Sequence, residues 1–195
     1  MSQNIEIEFK NLLTKQEFEK LVNHFKLKDT DFFTQENHYF DTPDFALKEQ
    51  GSALRIRKKG EKYELTLKQP YQDALLETNE SLEPLAAEKI FETGTIRNET
   101  IKGLIKKMNI DPDRIQYFGS LSTKRAEVEY ENGLIVIDNS FYLNIEDFEL
   151  EYEVSNRNDG QKKFSALLEQ LEIPVRKTEN KIKRFYNIKY MQHND

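Results

Sequence analysis

Apolar and charged residues alternate one by one in the opening run IEIEFK, and the same period returns near the other end of the chain in DFELEYEV. Successive side chains of an extended strand point to opposite faces, so Ile5, Ile7 and Phe9 share one face while Glu6, Glu8 and Lys10 share the other. Likewise Glu149, Glu151 and Glu153 oppose Leu150, Tyr152 and Val154. A helix cannot sort residues this way, so both runs predict strands. Between them lie NHYFDT, SALRIRKK, KYELTLKQ, ALLETNESL, IQYFGSLSTKRAEVEYE and GLIVID, punctuated by Pro43, Gly51, Gly60 and the pair Asn132 and Gly133. The count is about eight short strands, and the consecutive runs after NHYFDT predict an antiparallel meander.

Helical spacing fills the gaps. Thr14 and Glu17 form a capping-box pattern ahead of Phe18, Leu21, Val22 and Phe25. Two helices are expected from Pro84 to about Met108, the second carrying Ile96, Ile101, Leu104, Ile105 and Met108 and ending before the turn at Asp111 to Asp113. Further helices are expected from Gly160 to Leu171 and from Thr178 to Tyr190. With 195 residues and no linker, repeat or low-complexity segment, a single domain over 1–195 is expected.

The charges carry the functional question. Hydrophobic residues make up 37% and charged residues 33% of the chain, so some ionised groups are expected inside. A net charge of −6 argues against a broad electrostatic footprint for nucleic acid, and any anion site must be a local concentration of Lys and Arg. There is no cysteine, no apolar run long enough to span a membrane, and no signal-peptide pattern at the N-terminus, so a cytoplasmic setting is expected. Arg55 and Arg57 share a face of LRIR; Glu64, Thr66 and Lys68 share a face of ELTLK; Arg125 and Glu127 share a face of KRAEV. Each segment alone reads as a solvated face, and alternation alone does not separate an open sheet covered by helices from a barrel with charges inside. Carboxylates for Mg²⁺ or Mn²⁺, together with Arg and Lys for phosphate oxygens, are nevertheless the parts of a phosphoryl-transfer site.

The pattern E-x-E-x-K at Glu6, Glu8 and Lys10 resembles the N-terminal signature of the CYTH superfamily, the triphosphate tunnel metalloenzymes. NHYFDTPDFALKEQGSALRIRKK resembles that family's next block, and ELTLK, KRAEVEY, GLIVID, ELEYE and NKIKRF follow in its order. The small bacterial stand-alone members are the nearest in kind. The resemblance implies an α+β fold: an eight-stranded antiparallel β-barrel forming a tunnel, flanked by helices. It also implies that Glu6 and Glu8, joined by Glu149 or Glu151, hold the metal. Lys10, Arg55, Arg57, Lys68, Arg125 and Lys181 would bind phosphate, with Arg184 one helical turn from Lys181. The chain departs from the family at LLETNES, where an R-x-E-x-E strand is common: the arginine is missing, and the roles of Glu77 and Glu80 are open. Asp138 matches a family position and equally fits a plain strand-end residue.

The reaction so implied is hydrolysis of a terminal phosphoanhydride, with metal and basic residues holding the chain in line for attack by water. No His or Cys nucleophile is needed: His24 and His193 read as surface residues and His38 as a strand-packing one. Inorganic triphosphate, thiamine triphosphate and nucleoside triphosphates all fit. The family also contains class IV adenylyl cyclases, and a non-catalytic polyphosphate or nucleotide sensor would use the same charges. A solvated sheet that binds a protein would have no affinity for metal or anions.

Overall fold

The computed structural model describes residues 1–191. Its strands are β1 (Ser2–Leu13), β2 (Phe33–Asp41), β3 (Ala53–Lys59), β4 (Lys62–Tyr71), β5 (Ala74–Leu82), β6 (Gln116–Tyr130), β7 (Gly133–Tyr142) and β8 (Ile145–Val154). They close into an antiparallel barrel in the order β1-β5-β4-β3-β2-β6-β7-β8, which resolves the choice between open sheet and barrel and leaves no free sheet edge. The barrel is flanked by α1 (Lys15–His24), α2 (Ala46–Glu49), α3 (Pro84–Thr93), α4 (Glu99–Lys107), α5 (Arg157–Gln170) and α6 (Lys181–Met191). Among the described residues no helix is long and apolar enough to cross a membrane. The chain forms two compact units: Met1–Ile5 with Glu36–Leu121, and Glu6–Gln35 with the residues from Ser122 onward.

In the first unit, alternation in β3 and β4 puts Leu54, Ile56, Leu65 and Leu67 on the face that packs against Ile90 of α3 and Ile101 and Ile105 of α4. Burying each such side chain contributes roughly 1.5–3 kcal/mol. The two expected helices are present, but Ile96 precedes the second. Asn98 caps α4 by accepting from the Ile101 N–H, and Ile96 is buried from the connecting segment.

In the second unit, Phe9, Ile135, Ile137, Leu150 and Tyr152 form the apolar face, covered by Leu21 of α1 and Phe164 and Leu167 of α5. The Thr14 and Glu17 capping box forms as expected. The α5 helix starts earlier than its glycine suggests, because Asn156 is the cap and accepts from the Asp159 N–H. Gly160 serves instead for close approach: a Cβ there would stand 2.6 Å from Val154 and 2.9 Å from Phe9. The hairpin after β6 turns on Glu131 and Asn132, both with positive φ. Gly133 already belongs to β7, paired with Val154, and a Cβ on it would meet the Tyr152 ring at 2.5 Å. Thr178 does not start the last helix; its hydroxyl accepts from the Leu12 N–H and donates to the Arg176 carbonyl.

Candidate functional site

Register decides which charges meet in the second unit. Lys10 pairs with Glu151 and Glu8 with Glu153 between β1 and β8; Asp138 pairs with Glu149 between β7 and β8; Arg125 pairs with Asp138 between β6 and β7. All lie on the face opposite the apolar core, and Arg125, Asp138, Glu149 and Glu151 are buried. The Arg125 guanidinium forks onto Asp138, with Nε donating to Oδ1 at 2.7 Å and Nη2 to Oδ2 at 2.6 Å, and Nη2 also reaches Glu151 at 3.1 Å. Asp138 is therefore a core member of a charged cluster rather than a plain strand-end residue.

Two cations enter from α6. Lys181 Nζ lies 2.5 Å from Asp138, 2.7 Å from Glu149 and 3.2 Å from Glu151. Arg184 donates to Glu149 at 2.6 Å and to Asp147 at 3.0 Å. Asp147 was not singled out from the sequence, although its even spacing from Glu149, Glu151 and Glu153 places it on their face; it also accepts from the Tyr142 hydroxyl at 2.6 Å. Lys10 donates to Glu8 at 2.6 Å. Glu6 lies half-buried two residues before Glu8, on the same face.

Burial and charge work against each other here. Burial pushes Glu149 up to about 7, with Lys181 opposing and Glu151 reinforcing. Glu151 is also pushed up by burial, but Lys181 and Arg125 outweigh that and hold it well below the usual carboxylate range. Burial disfavours the Lys181 and Arg125 charges, yet the surrounding carboxylates raise both well above their ordinary values. Lys10 is raised in the same way, with Glu8, Glu151 and Glu149 outweighing burial. Glu153 rises to about 7 through burial first, then through Glu6, Glu151 and Glu8.

The oxygens of Asp138, Glu149 and Glu151 come within 4.8 Å of one another. Three hard carboxylate donors suit Mg²⁺ or Mn²⁺. Glu149 Oε1 is buried and within ion-pair distance of Lys181, yet among the described residues no donor meets it with hydrogen-bond geometry. Both features fit a divalent cation. Lys181 already occupies the neighbourhood as a monovalent one.

In the first unit Arg55, Arg57, Lys68 and Glu77 share the face opposite the core. Arg57 Nε donates to Asn37 at 3.0 Å. Lys68, directly opposite Glu77, approaches it to 2.5 Å, with Arg55 at 3.8 Å. Burial pushes Glu77 up, and Lys68 and Arg55 bring its carboxyl below the ordinary value. Glu80, three residues on, faces the other way: it sits opposite Leu65 and pairs with the Met1 ammonium at 3.5 Å. Only Glu77 of the two is part of the charged face. His38 packs with its ring 4.4 Å from that of Phe91, as expected of a strand-packing residue, and His24 is exposed at the end of α1. His193 lies outside the described residues.

A family model described as "CYTH domain" matches residues 4–186. The chain is 51% identical over 189 residues to the Bacillus subtilis (strain 168) protein YjbK, whose name provisionally calls it a triphosphatase; the match covers 97% of this chain and 98% of that protein. A crystal structure of a Bacillus halodurans protein, described as a candidate adenylate cyclase, is 40% identical with a TM-score of 0.92, over 95% of this chain and 100% of that one. A protein from Hippeastrum, 20% identical with a TM-score of 0.76 over 94% of this chain and 95% of its own, shares the fold.

Proposed function

Because the chain belongs to the CYTH domain family, we propose that it is a divalent-metal-dependent triphosphatase, hydrolysing the terminal phosphoanhydride of inorganic triphosphate, thiamine triphosphate or a nucleoside triphosphate. The observation that carries this reading is the buried set of Asp138, Glu149 and Glu151, hard oxygen donors ringed by Arg125, Lys181 and Arg184. The likeness to a relative named as a triphosphatase supports it.

In the second unit Glu149, Glu151 and Asp138, with Glu6 and Glu8, would hold Mg²⁺ or Mn²⁺. A divalent ion there supplies Lewis-acid polarisation of phosphoryl oxygens and makes a water more acidic. Arg125, Lys181, Arg184 and Lys10 offer fixed positive charge to phosphate oxygens. In the first unit Arg55, Arg57 and Lys68 do the same, with guanidinium forks suited to two oxygens at once. These donors are prepositioned, so charge developing on the leaving oxygens meets groups that need little reorganisation. None of these roles requires a cysteine or histidine nucleophile.

A cyclase reading has one observation in its favour, the description of the Bacillus halodurans relative. Purified protein incubated with inorganic triphosphate, thiamine triphosphate and ATP, each with Mg²⁺ or Mn²⁺, separates the two. Orthophosphate with ADP is expected from ATP; pyrophosphate with cyclic AMP as the main products would establish the cyclase. Metal-dependent binding without turnover of any triphosphate would establish a sensor.

A further inference from the structure

Directly opposite one another on β3, β4 and β5 stand Arg55, Thr66 and Asn79. Thr66 is 0% and Asn79 8% exposed. Among the described residues Arg55 Nε, Thr66 Oγ1 and Asn79 Oδ1 are all buried without a hydrogen-bond partner. Asn79 favours the charged form of the Glu77 carboxyl beside it, and its own amide oxygen is left without a donor. Leaving one such group buried and unmatched is costly, and native proteins keep few of them. Three in one cross-strand row, with side chains on neighbouring strands only about 5 Å apart, is the pattern of a site whose partner is a ligand. A valine would fill the space of Thr66 without this cost.

Resting on the triphosphatase reading, we propose that Thr66 and Asn79 are substrate-contacting specificity residues which, with Arg55 Nε, hold one terminal phosphoryl group. The row offers two donors and one acceptor. Arg55 Nε–H and the Thr66 hydroxyl donate to phosphoryl oxygens, and Asn79 Oδ1 accepts from a P–OH. Near neutral pH only a terminal phosphoryl group still carries a proton; an internal one is fully ionised and has none to give, so the row selects the end of a phosphate chain. This adds two neutral residues to a set otherwise composed of charges.

The test is calorimetric titration of inorganic triphosphate into wild type, Thr66→Val and Thr66→Ser, with Ca²⁺ replacing the Mg²⁺ or Mn²⁺ of the turnover assay, and thermal unfolding of each. Thr66→Val is expected to unfold at the same or a higher temperature, because an unmatched hydroxyl has been removed, and to bind triphosphate roughly ten- to a hundredfold more weakly. Thr66→Ser, which keeps the hydroxyl, recovers most of the affinity. Wild-type affinity in Thr66→Val overturns the inference and leaves the triphosphatase reading standing. A marked loss of stability in Thr66→Val, not shared by Thr66→Ser, also overturns it, since the hydroxyl then serves the fold. Weakened binding by Thr66→Val in a protein that turns over no triphosphate supports the inference while the hydrolase reading fails; no triphosphate binding by wild type sinks both.

Discussion

The ammonium of Lys181 lies 2.7 Å from the carboxylate of Glu149, with Asp138 and Glu151 also in contact, so one side chain of α6 is the shared counter-ion of three buried acids. Uncompensated carboxylates at this depth would cost several kcal/mol each. Lys181 and its neighbours Arg125 and Arg184 offset part of that cost through their carboxylate contacts. The acidic cluster is thus only partly compensated, Glu149 remaining raised to about 7, and it is already surrounded by positive charge of the kind a phosphate chain requires.

Replacing Lys181 by Met keeps an unbranched stem close to that of lysine and removes the ammonium. The variant should lose about 3–5 kcal/mol of stability at neutral pH without divalent ions, because three buried carboxylates lose a shared partner. Mn²⁺ should then raise its unfolding temperature more than it raises that of wild type, as the ion takes over the lost neutralisation. Thermal unfolding with and without Mn²⁺ measures both effects. An equal Mn²⁺ response in the two proteins would count against a metal bound by Asp138, Glu149 and Glu151.

Arg55 and Arg57 are half-buried on the charged face of β3, and Arg57 is oriented by Asn37. The double Arg→Lys variant keeps the charge but loses the planar fork. Triphosphate affinity should fall about tenfold or more by calorimetry, with stability changed by only about 1 kcal/mol. Unchanged affinity would return these arginines to the role of solvated strand residues.

The strands were legible because a period of two runs through most of them, and that period put Arg55 with Arg57 on one face of β3 and Glu149 with Glu151 on one face of β8; that the strands close into a barrel came from the resemblance to the CYTH family, since alternation is the same in an open sheet. Parity alone also separates Glu77 from Glu80 and adds Asp147 to Glu149, once register confirms which face is charged. Thr66 was placed on a face with Glu64 and Lys68 but given no role, and Asn79 escaped notice, because neutral residues carry no charge signal; only burial without a partner marks them. The position of Lys181 among the acids was not readable either. It depends on a strap far from β1 in sequence, in which Asn11 bonds the Pro174 carbonyl and the Arg176 N–H, and Thr178 bonds Leu12. Glycines misled locally: Gly133 and Gly160 permit close packing against Tyr152, Val154 and Phe9 rather than a turn or a helix start.

Gly160→Ala tests that last point. In an ordinary helix interior alanine stabilises by roughly 0.5–1 kcal/mol over glycine. Here the added methyl would stand 2.6 Å from Val154 and 2.9 Å from Phe9, and α5 must shift off the sheet. Overpacking of this kind costs about 1–3 kcal/mol, so urea unfolding should show net destabilisation. A gain in stability would mean that the helix seats with slack.

The Arg176 guanidinium forks onto Glu17 with two contacts of 2.8 Å, tying the strap to the first turn of α1. The hydrogen bonds from Arg176 hold the Glu17 carboxyl below its ordinary value, burial opposing. A carboxylate whose pKa is lower folded than unfolded binds fewer protons in the native state, so its stabilisation is complete above the usual glutamate range and fades as pH falls through the folded value. Glu17→Gln keeps a side chain able to complete the capping box and removes the charge together with one of the two acceptors of the Arg176 fork. At pH 7 the variant should be less stable than wild type by about 1–3 kcal/mol. Denaturant melts at a series of pH values should show that gap closing as the solution is acidified below the ordinary glutamate pKa. A gap that stays constant with pH would assign the effect to geometry rather than to the Glu17 charge.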